Sequence, residues 1–298
     1  MIKIAVMSGK GGTGKTTAVA SMAWYSQGLV LADCDVDASN LALTMSSRLR
    51  TKNDYVGALK AKIDHELCIE CGKCEEVCIF GAISDFQIKE IHCEGCGACQ
   101  VVCPEGAVKL VRQKSGEIFV MDTDRGPMVY AELQPGESNS GKLVTEVRHL
   151  AEDIAESDGI DTVLIDGPPG TGCPAIASIT GVDLILAITE PSQSGEHDLM
   201  RLIDLAKHFN IPVCVAVNKW DLHPGMTECI EESCRRNGVM VVGRVSYDPS
   251  VLKAIKAMKP LPSLFPNSLA SLEFHKIWQE VSKHAVDRGG SGILMKLE

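Results

Sequence analysis

The chain has 298 residues, of which 45% are apolar, so it can bury one large core and a smaller one. Its formal charge of −10 and pI near 5.3 argue against long-range attraction to nucleic acid or to an anionic membrane. No apolar run reaches the roughly 18 residues of a membrane span, and we expect no signal peptide, because the first residues are predicted to form a strand that leads into a glycine-rich loop. We therefore expect a cytoplasmic protein, in which 13 cysteines indicate metal or redox chemistry rather than disulfides.

The first motif is a glycine-rich loop at residues 8–17, between an apolar strand at 2–7 and a helix that continues from residue 18. Gly9, Gly14, Lys15 and Thr16 occupy the fixed positions of G-x-x-x-x-G-K-[ST]. Such a loop aims backbone N–H groups at a phosphate, while the lysine contacts the β- and γ-phosphates and the threonine ligates Mg²⁺. The alternative is a structural turn with a surface lysine. The predicted nucleotide contacts are Gly9, Gly11, Gly12, Thr13, Gly14, Lys15, Thr16 and Thr17.

Two further apolar strands, at 29–33 and 162–165, lead into carboxylates. Carboxylates at the carboxyl end of a parallel strand beside a phosphate loop can orient the attacking water or hold Mg²⁺. We expect Asp35 to orient water and Asp166, in a Walker B arrangement, to hold Mg²⁺ through water. The alternative is that residues 35–39, above all Asp37 and Ser39, only cap the next helix.

Eight cysteines between these strands form two runs of C-x₂-C-x₂-C-x₃-C that start 25 residues apart. This spacing is typical of bacterial two-cluster ferredoxins, in which the fourth cysteine of each run ligates the other [4Fe–4S] cluster. Two zinc sites of four thiolates are the alternative, with unliganded structural cysteines a further one. The first predicted ligand set is Cys68, Cys71, Cys74 and Cys103. The second predicted ligand set is Cys78, Cys93, Cys96 and Cys99.

The composition divides the chain into a discontinuous α/β domain, residues 1–57 and 113–298, and an inserted domain, residues 58–112. The insert is too short and too glycine-rich to fold on an apolar core alone, so cluster assembly should supply its folding energy. The predicted fold class is α/β, with a mostly parallel sheet flanked by helices and a small ferredoxin-like domain inserted into it.

The α/β pattern resumes after the insert. Paired strands are expected at 118–122 and 128–133, followed by a polar loop at 136–142 and an amphipathic helix. Buried strands are expected at 184–188 and 213–217, and an edge strand at 239–242. Helices should run through 251–258 and 269–285 before a flexible tail at 289–292. The second buried strand leads into Asn218-Lys219-Trp220-Asp221, which on its face suggests guanine recognition, with a helix-capping or loop role for Asp221 as the alternative.

The chain resembles the MinD/Mrp class of P-loop ATPases, in the branch with an inserted two-cluster ferredoxin domain, and is related to the nitrogenase iron protein. The segment from Lys10 to Thr16 is similar to the deviant Walker A motif of that class, which carries an extra lysine. The resemblance implies that two chains sandwich two ATP molecules and that Lys10 acts on the partner's nucleotide. It also implies that Asp35 positions water. Adenine is then read by Asn218, with a second contact from Asp248 and Pro249.

The resemblance implies an ATP-dependent homodimer, or a heterodimer with a paralogue, that binds Mg²⁺, ATP and two [4Fe–4S] clusters. It leaves three hypotheses: a switch that handles metal clusters, an ATP-gated reductase that passes electrons to an acceptor protein, and a MinD-like positioning ATPase with a redox-sensing insert. Residues 289–298 offer too few apolar residues for the membrane helix of MinD, so no membrane insertion is expected. Cys173 lies seven residues after Asp166, as a cluster-bridging cysteine does in the nitrogenase iron protein; the alternative is a small packing residue.

Overall fold

The computed structural model describes residues 1–137 and 141–289. Its strands are β1 (Ile2–Ser8), β2 (Val30–Asp33), β3 (Ser47–Tyr55), β4 (Ala58–Ile63), β5 (Ile83–Ser84), β6 (Gln87–Ile88), β7 (Val108–Gln113), β8 (Gly116–Thr123), β9 (Gly126–Leu133), β10 (Thr162–Pro169), β11 (Leu184–Thr189), β12 (Val213–Asn218) and β13 (Met240–Val245). Its α-helices are α1 (Lys15–Trp24), α2 (Leu41–Thr44), α3 (Lys73–Val77), α4 (Ala98–Val102), α5 (Lys142–Asp158), α6 (Cys173–Ile179), α7 (Gln193–His208), α8 (Pro224–Arg236), α9 (Pro249–Lys256), α10 (Leu261–Leu264) and α11 (Leu269–Gly289). The predicted tail beyond residue 289 and residues 138–140 of the predicted polar loop lie outside the described residues.

A large sheet with the strand order β13-β12-β11-β1-β10-β2-β9-β8-β3 is the centre of the fold within the described ranges. The strands from β13 to β9 in this order run parallel to their neighbours. Parallel strands are covered on both faces, which explains their nearly continuous runs of Val, Ile, Leu and Ala. The predicted α/β class with a mostly parallel sheet is therefore confirmed.

The core on one side of this sheet is formed by alternate residues of the central strands, such as Ile4, Val6 and Leu164, all fully buried. Two aromatic residues of α11, Phe274 and Trp278, belong to the same cluster. Because all these strands run parallel, their carboxyl ends share one edge of the sheet. This places the segments after β1, β2, β10, β11 and β12 next to one another.

Most predicted elements are present, and several observed elements were not predicted, among them β3 and the helix α7. The sequence analysis assigned no element to β3, whose residues 47–54 are all exposed and lack apolar alternation. The helix expected to continue through Met258 ends at Lys256, because Met258 has a φ of 51°, a left-handed conformation incompatible with continuing the helix. Edge strand β13 lies where it was expected.

The chain divides into two compact units: unit 1 comprises Met1–Thr51, Phe119–Ala131 and Ser140–Glu298, and unit 2 comprises Lys52–Ile118 and Glu132–Asn139. Unit 2 contains an antiparallel ladder of β4 with β7 and a short one of β5 with β6. Its small core consists of Ala61, Cys74, Ala82, Ile83, Cys93, Cys99 and Val108. Three of these seven residues are cysteines, so little apolar surface remains to stabilise the unit. The predicted insert boundaries, 58 and 112, stay a prediction.

No helix in the described part of the chain is long and apolar enough to cross a bilayer.

Candidate functional site

The glycine-rich loop lies at the carboxyl end of β1 and leads into the N-terminus of α1. Gly12 and Gly14 have φ values of 81° and 95°, a left-handed conformation that glycine adopts without strain. A Cβ on Gly14 would collide with the Asn218 amide, and a Cβ on Gly9 would collide with Asp198 of α7. Helix α1 has no side-chain cap and no acidic residue in its first turn, so its N–H groups remain available to an anion.

Lys15 is buried at the centre of a group of carboxylates. Its Nζ lies 3.8 Å from Asp166 Oδ1 and 3.9 Å from Asp35 Oδ2. The structure therefore brings together the phosphate-binding lysine and both carboxylates that the sequence analysis selected. Burial raises the pKa of Asp35, partly offset by the charge of Lys15.

Asp166 is fully buried, and neither of its oxygens has a well-aligned hydrogen-bond partner among the described residues. Burial raises the pKa of Asp166 to about 6, although Lys15 and the nearby Thr16 hydroxyl act in the opposite direction. A buried carboxylate with unsatisfied oxygens is costly unless a cation compensates it. A carboxylate and a hydroxyl beside a phosphate loop are ligands that Mg²⁺ accepts, so the residues present fit this ion.

Asp33, the last residue of β2, is a site residue that the sequence analysis did not select. It is fully buried, and its carboxylate accepts hydrogen bonds from the N–H groups of Asp35 (3.2 Å) and Leu41 (3.1 Å). Burial, followed by the charge of Asp166, raises the pKa of Asp33 well above its ordinary value. Asp33 thus holds the loop that carries Asp35. The helix cap that was the alternative role for Asp37 and Ser39 is absent, since α2 begins after Asn40 without a side-chain cap.

Lys10 contacts side chains of the segment that follows β11. Its Nζ lies 2.7 Å from Glu190 Oε1 and donates hydrogen bonds to the hydroxyls of Ser192 (3.2 Å) and Ser194 (3.0 Å). Glu190 also pairs with Lys219 at 3.1 Å. Glu190 follows β11 at the same edge of the sheet as Asp166, so the strand-end rule could have identified it.

Asn218 contacts the phosphate loop in this structure. Its Nδ2 donates a hydrogen bond to the Thr13 carbonyl at 2.7 Å, and its Oδ1 accepts one from the N–H of Lys219. Lys219 has a φ of 56° and donates from Nζ to the Gly12 carbonyl at 3.1 Å. The segment after β12 therefore supports the loop that holds phosphates, and base reading by Asn218 stays a prediction.

Asp221 and Asp248 order the segment on the far side of Asn218. Asp221 Oδ1 accepts a hydrogen bond from the Tyr247 N–H at 2.7 Å. Asp248 caps α9 by accepting from Ser250 at 2.8 Å and also accepts from the Ala270 N–H at 3.3 Å. Both carboxylates therefore have structural roles, and that of Asp221 is the loop role given as the alternative to guanine recognition. The adenine contact expected from Asp248 and Pro249 remains untested.

Two cavities in unit 2 are lined by cysteines. The lining of the first includes Cys68, Cys71, Cys74 and Cys103. The lining of the second includes Cys78, Cys93, Cys96 and Cys99. These groups have the same members as the two predicted ligand sets, including the exchange of the fourth cysteines. The clusters themselves stay a prediction.

Backbone N–H groups point at several of these sulfurs. Ala61 donates to Cys93 Sγ and Ala82 donates to Cys78 Sγ, both at 3.4 Å. Desolvation raises the pKa of the Cys103 thiol, but the backbone N–H groups of residues 105–108 outweigh it and leave this pKa below its ordinary value. Burial raises the pKa of Cys74 and of Cys99. Hydrogen bonds to sulfur favour the thiolate that a metal requires.

Within the described residues, no group of three or more His, Cys, Asp or Glu side chains is placed to hold one metal ion. Each thiolate of a cubane cluster binds a different iron atom, so its sulfurs are spread around a larger body than a single ion. A donor set of four cysteines around each cavity is one that such a cluster accepts, and it is also the donor set of a tetrahedral zinc site.

Cys173 is exposed at the start of α6, directly after the loop that follows Asp166. A Cβ added to Gly141 would lie 3.1 Å from the Cys173 carbonyl oxygen. The two cysteines of α8 differ: Cys229 is exposed, whereas Cys234 is buried. The bridging role expected for Cys173 is not tested by these observations.

Residues 4–261 match the family model described as the CobQ/CobB/MinD/ParA nucleotide binding domain. The chain is 42% identical over 222 residues to an uncharacterised protein of Methanocaldococcus jannaschii, a match that covers 74% of this chain and 78% of the relative. It is 26% identical over 177 residues to an iron-sulfur cluster carrier protein of the same organism, covering 55% of this chain and 57% of that protein.

Among solved structures, the MinC:MinD cell division protein complex of Aquifex aeolicus contains a chain of the same fold. The match has a TM-score of 0.58 and 17% identity, and it covers 100% of this chain and 99% of that chain.

Proposed function

We propose, from the premise that this chain belongs to the CobQ/CobB/MinD/ParA family and is a P-loop ATPase, that it couples ATP hydrolysis to two [4Fe–4S] clusters held by unit 2. The finer part of this proposal, an inserted two-cluster ferredoxin domain, goes beyond the family. We also propose that the protein works in the cytoplasm, where thiols are kept reduced.

One observation carries the proposal: each of the two cavities of unit 2 is lined by four cysteines. The fourth cysteine of each run lies with the first three of the other, which is the ligand exchange of two-cluster ferredoxins. The backbone N–H groups directed at Cys78 and Cys93 add the hydrogen bonds that tune cluster potentials. A core in which cysteines replace aliphatic residues needs an inorganic body to complete it.

The nucleotide side of the proposal assigns one task to each buried group. Lys15 binds the β- and γ-phosphates, Thr16 and Asp166 hold Mg²⁺, and Asp35 orients the attacking water. When bound, Mg²⁺ supplies charge neutralisation at the transferring phosphoryl group. Gly170 donates a hydrogen bond to the Ser8 carbonyl at 2.9 Å, so the loop after Asp166 is tied to the phosphate loop and can respond to its occupancy.

Lys10 is the residue through which we propose that two chains activate each other. In a dimer its ammonium would leave Glu190 for the partner's nucleotide, where it would stabilise charge as an arginine finger does. The partner chain is a second copy or a paralogue. Because the Lys10–Glu190 pair is only partly buried, exchanging it for a phosphate costs little.

The use of the clusters follows from their coordination. Four protein thiolates per cluster leave no open position, which favours electron transfer or redox sensing by unit 2 over delivery of its own clusters. An acceptor protein for electrons, or for clusters held elsewhere, completes the proposal. The similarity to an iron-sulfur cluster carrier protein supports a role in metal-cluster handling.

The test is anaerobic purification followed by counting of iron and sulfide. We expect about eight of each per chain. Cys74→Ser and Cys103→Ser should each remove the same cluster, whereas Cys78→Ser should remove the other, as judged by iron content and EPR. A colourless protein without iron would contradict the proposal, and zinc in its place would support the alternative site. A shift of cluster potential on adding MgATP would support gating of electron transfer.

A second function, a MinD-like positioning ATPase with a redox-sensing insert, is favoured by the likeness to the MinC:MinD structure over the whole chain. In that case ATP should promote binding to a protein surface or a large cargo without changing the cluster potentials. Cluster transfer to an apo-acceptor, or electron transfer that requires ATP, would favour the first function.

A further inference from the structure

Unit 2 contains one feature that cluster binding alone does not require, an ion pair between Lys60 and Glu137. Lys60 lies on β4 and is only 5% exposed. Its Nζ lies 2.9 Å from Glu137 Oε1 and donates a hydrogen bond to the Cys93 carbonyl at 3.0 Å. Burying an ammonium group is costly and is rarely done for packing alone.

The backbone around Lys60 is closely attached to the second cysteine set. Ala61, the next residue, donates its N–H to Cys93 Sγ at 3.4 Å. A Cβ on Gly95 would collide with the Leu59 carbonyl, so β4 and the loop from Cys93 to Gly95 are in direct backbone contact. The lysine charge is therefore held in one place beside a cysteine of the second set.

Glu137 is held in place as well. Its N–H donates to the Gln134 carbonyl at 3.0 Å, and the Gln134 N–H donates to the Ser115 carbonyl at 2.9 Å. Gly136 lies so close to the Ile91 side chain that a Cβ would meet it at 2.6 Å. The carboxylate therefore belongs to an ordered turn, and the positive end of the pair is the end that contacts Cys93.

We propose that Lys60 raises the reduction potential of the cluster held by the second set, and that Glu137 limits this rise. The inference rests on the proposed function, since it assumes that the clusters are present. Reduction adds one electron to a cluster without breaking a bond to the protein. A fixed positive charge in a region of low dielectric stabilises the reduced form, and a carboxylate opposes it.

The two cavities differ in the burial of the charged side chains near them. The charged side chains that line the cavities, Lys73 and Glu105 at the first and Glu94 at the second, are exposed, so water and salt screen them. Lys60 is buried, and its ammonium contacts the backbone carbonyl of Cys93, a member of the second set. We therefore expect substitutions at Lys60 to shift one of the two midpoint potentials and to leave the other in place.

The experiment is a redox titration of the anaerobically purified holoprotein, with dithionite as the electron donor and EPR as the readout. Lys60→Met should lower one midpoint, changing the reduced-to-oxidised ratio at a fixed potential by roughly tenfold, or about 59 mV for a one-electron couple. Glu137→Gln should raise the same midpoint. Lys62→Met is the matched control, because Lys62 lies two residues further along β4 but is exposed. It should leave both midpoints unchanged.

A purely structural pair would not give shifts of opposite sign. Equal midpoints in wild type, Lys60→Met and Glu137→Gln, with full iron content, would overturn the inference and leave the proposed function intact. If Lys60→Met fails to assemble its clusters, the inference is tested with Glu137→Gln and with the charge-preserving Lys60→Arg. The first must raise the midpoint, and the second must keep it near the wild-type value. Wild-type protein without iron would overturn the proposed function and this inference with it.

Discussion

Replacing Asp166 by asparagine should stabilise unit 1 and stop ATP hydrolysis in the same variant. The Asp166 carboxylate is fully buried near Asp33, whose pKa is also raised, and the charge of Lys15 compensates the charge of Asp166 only in part. An amide of nearly the same shape carries no charge to desolvate. The variant should therefore lose the Mg²⁺ ligand and, at the same time, an unfavourable buried charge.

The magnitude follows from the pKa of Asp166, which rises from 3.8 to about 6 on folding. At about 1.4 kcal/mol per pKa unit, the ionised form destabilises the folded state by about 3 kcal/mol. Because the folded pKa is raised, the folded state binds the proton more tightly than the unfolded state. The free energy of unfolding of the wild type should therefore fall as pH rises from about 4 to 6, and this component should be missing in Asp166→Asn.

The assay is urea unfolding followed by tryptophan fluorescence at about pH 4 and pH 7.5. All three tryptophans, Trp24, Trp220 and Trp278, lie in unit 1, so the signal reports that unit alone. Asp166→Asn should exceed wild type by about 3 kcal/mol at pH 7.5 and should match it near pH 4. Asp37→Asn, which changes an exposed carboxylate nearby, should match wild type at both values. Equal or lower stability of Asp166→Asn at pH 7.5 would refute the reasoning.

Three further outcomes are expected. Lys15→Ala should abolish nucleotide binding in a fluorescent-nucleotide titration. Lys10→Ala should keep most of the binding but lose ATP hydrolysis and, on gel filtration, ATP-dependent dimerisation. Hydrolysis at the wild-type rate by Lys10→Ala would exclude activation by the partner. Gly9→Ala should weaken nucleotide binding at least tenfold, because its Cβ would collide with Asp198. The control Gly11→Ala, whose Cβ would meet nothing within 4 Å, should bind nucleotide normally. Equal affinities of the two variants would show that the loop tolerates the collision. Iron chelation should make unit 2 sensitive to protease while unit 1 keeps its tryptophan signal, and continued protection of unit 2 would mean that its core suffices without clusters.

The elements of unit 1 were predictable because parallel strands have a strong sequence signal. Continuous apolar runs ending in Asp33 and Asp166 indicate strands covered on both faces, with the polar groups at one edge. The glycine positions of the phosphate loop are equally explicit, because Gly14 must be left-handed and free of a side chain. Local chemistry at these positions determines local structure.

Contacts between distant segments could not be predicted in the same way. The pairing of Lys10 with Glu190 joins residues 180 positions apart, and a strand-to-helix loop has no periodic pattern that specifies its partner. Asp33 was not selected as a site residue because its role depends on where the following loop turns. It accepts hydrogen bonds from N–H groups of that loop. The pairing of Lys60 with Glu137 could not be predicted for the same reason, since it depends on the path of the chain between them.

The hydrogen bond from Asn218 to the Thr13 carbonyl has a consequence for how this nucleotide site can evolve. The side chain expected to choose the base also braces the segment that receives the phosphates. A substitution that alters base preference would remove this brace before any new specificity was gained. Lineages that change nucleotide would have to pass through weak binders unless a second mutation restored the support, so the choice of base should be slow to drift.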